Sequence, residues 1–265
     1  MYGNRPTARQ IADAIEELAP LHYQESYDNA GFCVGDPQTE VTAALLCVDV
    51  TEAVLAEARE TGANLIISHH PVIFKGLKHL TGQTRAERIV AQAVKHDILL
   101  YAAHTNIDSV RGGVSEAMGD KLRLRNPAIL APRDAGANAG FGLTGDLPHP
   151  LAPDDFLKTL KTAFGTPAVR YSRPPEGPVA RVAVCGGSGA FLIQAAIAEG
   201  AQAFVSADFR YHDFFDADSR LMIVDVGHYE SEQEVVHILY RCLTKKIPTF
   251  AVRLTKNGTN AINYY

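Results

Sequence analysis

Three apolar runs in this chain each give way to a histidine, and a carboxylate comes after two of them at one repeated spacing. Leu65-Ile66-Ile67-Ser68 runs into His69-His70-Pro71. The run Ile98 to Ala103 ends on His104, with Asp108 four residues on. Leu221 to Val226 is followed by His228, with Glu232 four residues on. Imidazoles and carboxylates at the carboxyl ends of buried strands are what a metal site in an α/β fold requires. Four histidines and two carboxylates exceed the needs of one tetrahedral zinc and suit two metals sharing a bridge.

Adjacent side chains leave a strand end in different directions. His69 and His70 can therefore serve two ions, or one ion and a neighbouring partner, and Pro71 ends the strand ladder. Residues i and i+4 of a helical turn share a face, so His104 with Asp108, and His228 with Glu232, can reach one ion. Each carboxylate also has a plainer role open to it. Asp108 can cap the segment at Ser109, and Glu232 can sit as a favourable charge at the start of a helix running through Cys242. Glu232, with its longer reach, is the candidate bridge between two cations. His212, beside Tyr211 and Asp213, is the candidate to carry protons in the same cleft. His22, His79, His96, His149 and His237 fall where solvated or packing histidines are expected.

These residues need elements to hold them. Thr7 to Gln10 forms a capping-box pattern, followed by Ile11, Ile15 and Leu18 at helical spacing. Val41 to Val48 reads as a strand and Glu52 to Glu60 as a helix closed by Gly62. A second helix is expected near 85–96, another from Gly112-Gly113 through Met118, and one from Pro153 to Ala163. Ala168 to Tyr171 reads as a short strand. Alternating strands and helices with short joins give an α/β fold with a largely parallel sheet. Val41 to Ser68 also aligns without gaps on a segment 138 residues later, Cys47 on Cys185, Gly62-Ala63 on Gly200-Ala201 and Ser68 on Ser206. The expected architecture is two related α/β lobes, an internal pseudo-duplication, with the metal site in the cleft between them. The expected divisions are a first lobe at 1–123, a short connecting element at 124–180, rich in Pro, Ala and Gly, and a second lobe at 181–265.

Two glycine motifs invite nucleotide readings. Gly140-Phe-Gly142-Leu-Thr-Gly145 matches Gly-x-Gly-x-x-Gly, but Pro148 and Pro150 forbid the helix that a dinucleotide site needs. Gly186-Gly-Ser-Gly189 comes after the run Val182 to Cys185 and is either an anion cradle or a tight strand-to-helix turn.

The 265 residues allow one large domain or two smaller ones. A net charge of −5 without a Lys/Arg cluster argues against a broad nucleic-acid surface. Four scattered cysteines without a Cys-x-x-Cys pair read as reduced thiols in a cytoplasmic protein. No secretory leader and no membrane span are expected.

The chain resembles the GTP cyclohydrolase I type 2 homologues, also called the Nif-three-like proteins. The matching pieces are Tyr27-Asp28-Asn29-Ala30-Gly31, Val48-Asp49-Val50-Thr51, Ser68-His69-His70-Pro71, His104-Thr-Asn-Ile-Asp108, Gly186-Gly-Ser-Gly189 and Gly227-His228-Tyr-Glu-Ser-Glu232. They fall in the family's order over nearly the whole chain. Tyr27 stands where the family usually has Trp, and Ser206-Ala207-Asp208 where many members carry Thr-Gly-Glu/Asp. The short 124–180 segment implies that the inserted domain of longer members is missing. The resemblance implies a two-lobed α/β fold, a dinuclear divalent-metal site (zinc, iron, manganese or nickel) and a homohexamer. It carries the metal role to His69, His70, Asp108, His228 and Glu232, with His104 as a further ligand or close neighbour. The expected function is a metal-dependent hydrolase of a nucleotide-like or small polar substrate. The alternative is a metal-binding regulatory or metal-handling protein without turnover.

Overall fold

The computed structural model describes residues 5–133 and 138–265. It divides into two compact units, Met1–Ile107 with Val235–Ile262, and Asp108–Glu234 with Asn263–Tyr265.

The first unit is built on a five-stranded sheet. Its strands are β1 (Gly31–Val34), β2 (Ala44–Cys47), β3 (Leu65–Ser68), β4 (Leu99–Ala102) and β11 (Val252–Leu254), in the order β1-β4-β3-β2-β11. All neighbours are parallel except β1, which runs antiparallel to β4. The three central strands are buried along their whole length, as continuous apolar runs in a parallel sheet should be. Leu45, Ile66 and Leu100 pack with Val54 and Ala58 of α2 (Glu52–Thr61) and Ile89 and Ala93 of α3 (Arg85–Lys95). The unit also contains α1 (Ala8–Glu16), whose capping box at Thr7 and Gln10 is formed, and α9 (Val235–Lys246). The Tyr101 hydroxyl donates to Glu16 of α1 at 3.1 Å.

Buried Glu57 ties the far end of the chain to α2. It accepts from the Thr255 hydroxyl at 2.5 Å, the Lys256 N–H at 3.0 Å and the Asn257 side-chain amide at 2.8 Å. Burial opposes the charge, but these donors hold the carboxyl below the ordinary carboxylate range. Glu57→Ala is expected to cost about 2 kcal/mol, the scale of lost hydrogen bonds to a charged group. A group with a depressed folded pKa stabilises above its unfolded value, near 4.3 for Glu, and loses that effect as pH falls through the folded value. Urea melts at pH 7 should separate variant from parent, and the gap should close as pH drops below about 4.

The second unit has a six-stranded sheet of order β5-β6-β8-β9-β10-β7. The strands are β5 (Arg125–Pro132), β6 (Gly140–Leu151), β7 (Arg170–Tyr171), β8 (Val179–Ser188), β9 (Ala203–Ala207) and β10 (Met222–Asp225). On one face Val182, Val205 and Val224 pack with Met118 of α5 (Val114–Lys121) and Phe156 and Leu160 of α6 (Pro153–Phe164). On the other, Phe204 and Ile223 pack with Ile193 and Ala196 of α7 (Ile193–Ala198).

The α/β class holds, and the internal repeat extends to individual hydrogen bonds. β2 pairs β3 with Ala44 opposite Leu65; β8 pairs β9 with Val182 opposite Ala203, the same residues moved by 138. The Asn64 side chain accepts from the Thr42 N–H at 2.8 Å, and the Gln202 side chain from the Ala180 N–H at 3.1 Å. The Ser68 carbonyl accepts from Ala103, and the Ser206 carbonyl from Val226. Each sheet ends in an antiparallel edge strand, β1 on β4 and β7 on β10.

The expected boundaries need correction. Residues 124–180 are not a connector: they supply β5, β6, α6 and β7, three of the six strands of the second sheet. The end of the chain, from Val235 to Ile262, joins the first unit, because β11 is the parallel partner of β2. Chain order is a poor guide here, since β2 finds that neighbour about 200 residues away. Gly140 to Gly145 lies inside β6, so the dinucleotide motif is excluded by a strand rather than by a loop.

Candidate metal centre

In the first unit the backbone fixes the paired histidines before their rings are considered. The N–H of His69 donates to the Cys47 and Val48 carbonyls at 3.2 and 3.1 Å, and that of His70 to Val48 at 3.0 Å. The fully buried His69 ring donates from Nδ1 to the Ala103 carbonyl at 2.8 Å. A carbonyl can only accept, so Nδ1 carries the proton and Nε2 the lone pair. His70 Nδ1 lies 3.0 Å from Asp49, and His104 Nδ1 lies 2.7 Å from Asp28, which sets the same tautomer. The three rings form a triangle with centroid separations of 4.9, 5.3 and 5.5 Å.

Asp28 is heavily supported for this task. Its carboxylate accepts from the Thr105 hydroxyl, the Thr105 N–H and the Asn29 N–H as well as from His104. Burial disfavours its charge, yet the bonds from His104 and Thr105 bring it down to about 2. Asp49 is likewise held below the ordinary range: burial opposes, and the bond from His70 and the charge of Arg85 prevail.

In the second unit, His228 and Glu232 are the two ends of a five-residue helix, α8 (His228–Glu232). Glu232 therefore closes α8 rather than opening the last helix, which begins at Val235 as α9. Gly227, at φ +95°, makes the turn into α8. His228 Nδ1 lies 2.8 Å from Asp208, and Nε2 lies 3.0 Å from Glu232. Burial of the ring works against its charge, but hydrogen bonds to both carboxylates push it up to about 11. A proton at Nε2 and a metal ion are alternatives there, each placing positive charge between the imidazole and Glu232.

Gly186 to Gly189 proves to be the seat of α8. The Gly187 N–H donates to Ser231 Oγ at 2.9 Å, and its carbonyl accepts from Ser206 Oγ at 2.8 Å. Gly187 sits at φ +60°, and a Cβ there would run into the Glu232 carboxylate and reach 3.4 Å from the His228 ring. The motif, whose first three residues continue β8, is thus a close approach of backbone to ligand side chains. Asp108 is the half-buried last residue of α4 (Thr105–Asp108). Asp108 and Glu232 both add to the burial that raises the Cys185 thiol. His212 is exposed, its ring against Tyr211 and Phe215 at 5.2 and 6.1 Å. That surface setting lends no support to the proton-carrying role expected of it.

The carboxylates behind the rings escape a reading of the sequence. Asp28 and Asp49 stand in recognisable motifs that assign them no role, and Asp208 occupies the place of His70 in the 138-residue register. Imidazoles whose Nδ1–H is held by a carboxylate or carbonyl are the standard arrangement of metal-binding histidine. With carboxylates and no thiolate in the set, the donors suit zinc, iron, manganese or nickel. The first unit offers the metal-type donors His69, His70 and His104, and the second offers His228 with Glu232. A cavity of 280 Å³ in the first unit is lined in part by His70 and Asp49. Among the described residues, no helix is long and apolar enough to cross a membrane.

Known proteins are similar to this chain over most of its length. A Clostridium perfringens protein called "GTP cyclohydrolase 1 type 2 homolog" is 34% identical over 227 residues, covering 85% of this chain and 87% of its own. A Streptomyces coelicolor protein of the same name is 34% identical over 86% of this chain and 82% of its own. The crystal structure of a Bacillus cereus protein related to NIF3 superposes with a TM-score of 0.93 at 23% identity, covering 99% of this chain and 100% of that one. A Staphylococcus aureus protein of known structure gives 0.89 at 26% identity, with coverage of 99% and 100%. The family model described as Duf34/NIF3 (NGG1p interacting factor 3) matches residues 6–260, and the chain belongs to that family.

Proposed function

We propose that the protein is a dinuclear divalent-metal hydrolase acting on a nucleotide-like or other small polar substrate. The observation that carries this reading is the tautomer lock on His69, His70 and His104, each of which has Nδ1 committed to an acceptor. His69, His70, His104, Asp108, His228 and Glu232 would hold the ions, with Glu232 as the bridge. Bound there, the metals would supply Lewis acidity and a nucleophile at neutral pH. The chain's own part is to fix ring orientation through Asp28, Asp49 and Asp208 and to offer room for a small molecule beside His70. That cavity favours turnover over simple metal handling, which needs no substrate space. The names of the relatives point the same way. The reading includes a cytoplasmic homo-oligomer, hexameric by the resemblance.

The test is turnover of GTP and of model phosphoesters by metal-replete protein against His69→Ala, with metal content measured in both. A loss of at least about 100-fold in the variant is expected, the scale of removing one metal-positioning group. Equal residual rates in the two proteins would reject the hydrolase.

A further inference from the structure

Helix α8 carries His228 at one end and Glu232 at the other, and so short a helix cannot hold its shape in water unaided. Its arrangement must come from the groups that anchor it. Ser231 Oγ receives the Gly187 N–H at 2.9 Å and donates to the His228 carbonyl at 2.7 Å. At the entry to the helix the Gly227 N–H donates to Asp225 Oδ1 at 3.0 Å.

A further anchor comes from far along the chain. Val235–Ile262 belong to the first unit, but Asn263–Tyr265 belong to the second. There the Tyr264 ring is 41% exposed, while its hydroxyl reaches inward to hydrogen-bonding contact with Glu230 and with buried Thr166. Glu230, the middle residue of α8, is 6% exposed. The Glu230 carboxylate and the Tyr264 hydroxyl both lie against the Gly227 backbone. A Cβ on Gly227 would collide with Glu230 Oε2 and come to 2.9 Å from the hydroxyl. Burial, with the charges of Glu230 and Asp225 beside it, pushes the hydroxyl up, so it stays protonated and donates. A carboxylate this buried is costly to leave short of a donor. Without the hydroxyl it turns towards water, and α8 moves with it. We infer that Tyr264 is a positioning residue for the metal centre: by donating to Glu230 it holds α8, and hence His228 and Glu232, in the arrangement that receives an ion. The inference rests on the metal-centre part of the proposed function, and its test separates the two.

The test is zinc titration of the full chain against a competing chelator, with the ring nitrogen NMR signals of His228 recorded on metal-free protein. Tyr264→Phe, which removes only the hydroxyl, should weaken zinc binding about tenfold, the lower end of the range for outer partners of metal ligands. It should also shift the His228 signals, because the ring moves relative to Asp208 and Glu232. Tyr265→Phe, at a fully exposed neighbour, should do neither. In a Glu230→Gln background the carboxylate is gone, and Tyr264→Phe should then cost less than about twofold, as expected of two coupled residues. Unchanged zinc affinity in Tyr264→Phe, unmoved His228 signals, or the same loss with and without the Glu230 carboxylate would each overturn the inference. A parent protein that binds no zinc yet shows the His228 response would reject the metal centre and leave Tyr264 as the residue that sets α8.

Discussion

Glu232→Ala protein is expected to retain less than a tenth of the metal held by the parent. Glu232 is 3% exposed and lies 3.0 Å from His228 Nε2, so its carboxylate is the close counter-charge to whatever cation sits at that nitrogen. Two divalent cations about 4 Å apart repel by roughly 17 kcal/mol at an effective dielectric of about 20, and a carboxylate shared between them would offset part of that repulsion. Asp108→Ala, assigned to one ion, should cost less. The fold should survive, because Asp208 still holds the His228 ring and the sheet beneath is untouched. Elemental analysis with a thermal melt separates these effects. Two metals per chain at unchanged affinity in Glu232→Ala would remove Glu232 from the metal site and leave it only the pairing with His228.

Gly187→Ala should do nearly the same damage without removing any ligand. An L-residue at φ +60° costs roughly 1–2 kcal/mol. The added methyl would also occupy the place of the Glu232 carboxylate, which must then move. Gly62→Ala supplies the control, since Gly62 is also at positive φ, +71°, and a Cβ there meets nothing within 4 Å. Both variants should lose a similar increment of stability from backbone strain, but only Gly187→Ala should lose metal. Equal metal content in the two would mean that the glycine serves only the turn.

Much of this is legible in the chain because buried parallel strands are written as short apolar runs. Leu65 to Ser68, Leu99 to Ala102 and Met222 to Asp225 lead the eye to the histidines at their ends. Gly62 and Gly200 announce two helix ends and sit at matching places in the 138-residue repeat. Anything that depends on pairing at a distance is hidden. Asp28 meets His104 across 76 residues, and no local spacing marks it as that ring's partner. Asn64 and Gln202, the anchors of the repeat, share a side-chain amide but differ in residue type, so an identity search passes over them. The sequence puts Glu232 at the wrong end of a helix because Gln233 and Glu234, which separate α8 from α9, carry no breaker signal. Residues 124–180 look like a linker because prolines and glycines are abundant there, yet Pro148 and Pro150 fall where the β6–β8 register shifts, between Asp146 and Leu151, a place where strand prolines are tolerated.

The partner of β2 has a consequence for the order of events during synthesis. One edge of β2 stays unpaired until Val252 to Leu254 have left the ribosome, and α9 arrives only shortly before them. The unit from Asp108 to Glu234 is all but continuous and can close first. At a translation rate of roughly 5–20 residues per second, the earlier-made sheet waits on the order of ten seconds with an open, apolar edge. The usual rule that the N-terminal part of a nascent chain folds ahead of the C-terminal part is reversed. Chaperone capture of the emerging polypeptide should therefore concentrate on the segment around Ala44 to Cys47, and end only when the last strand docks.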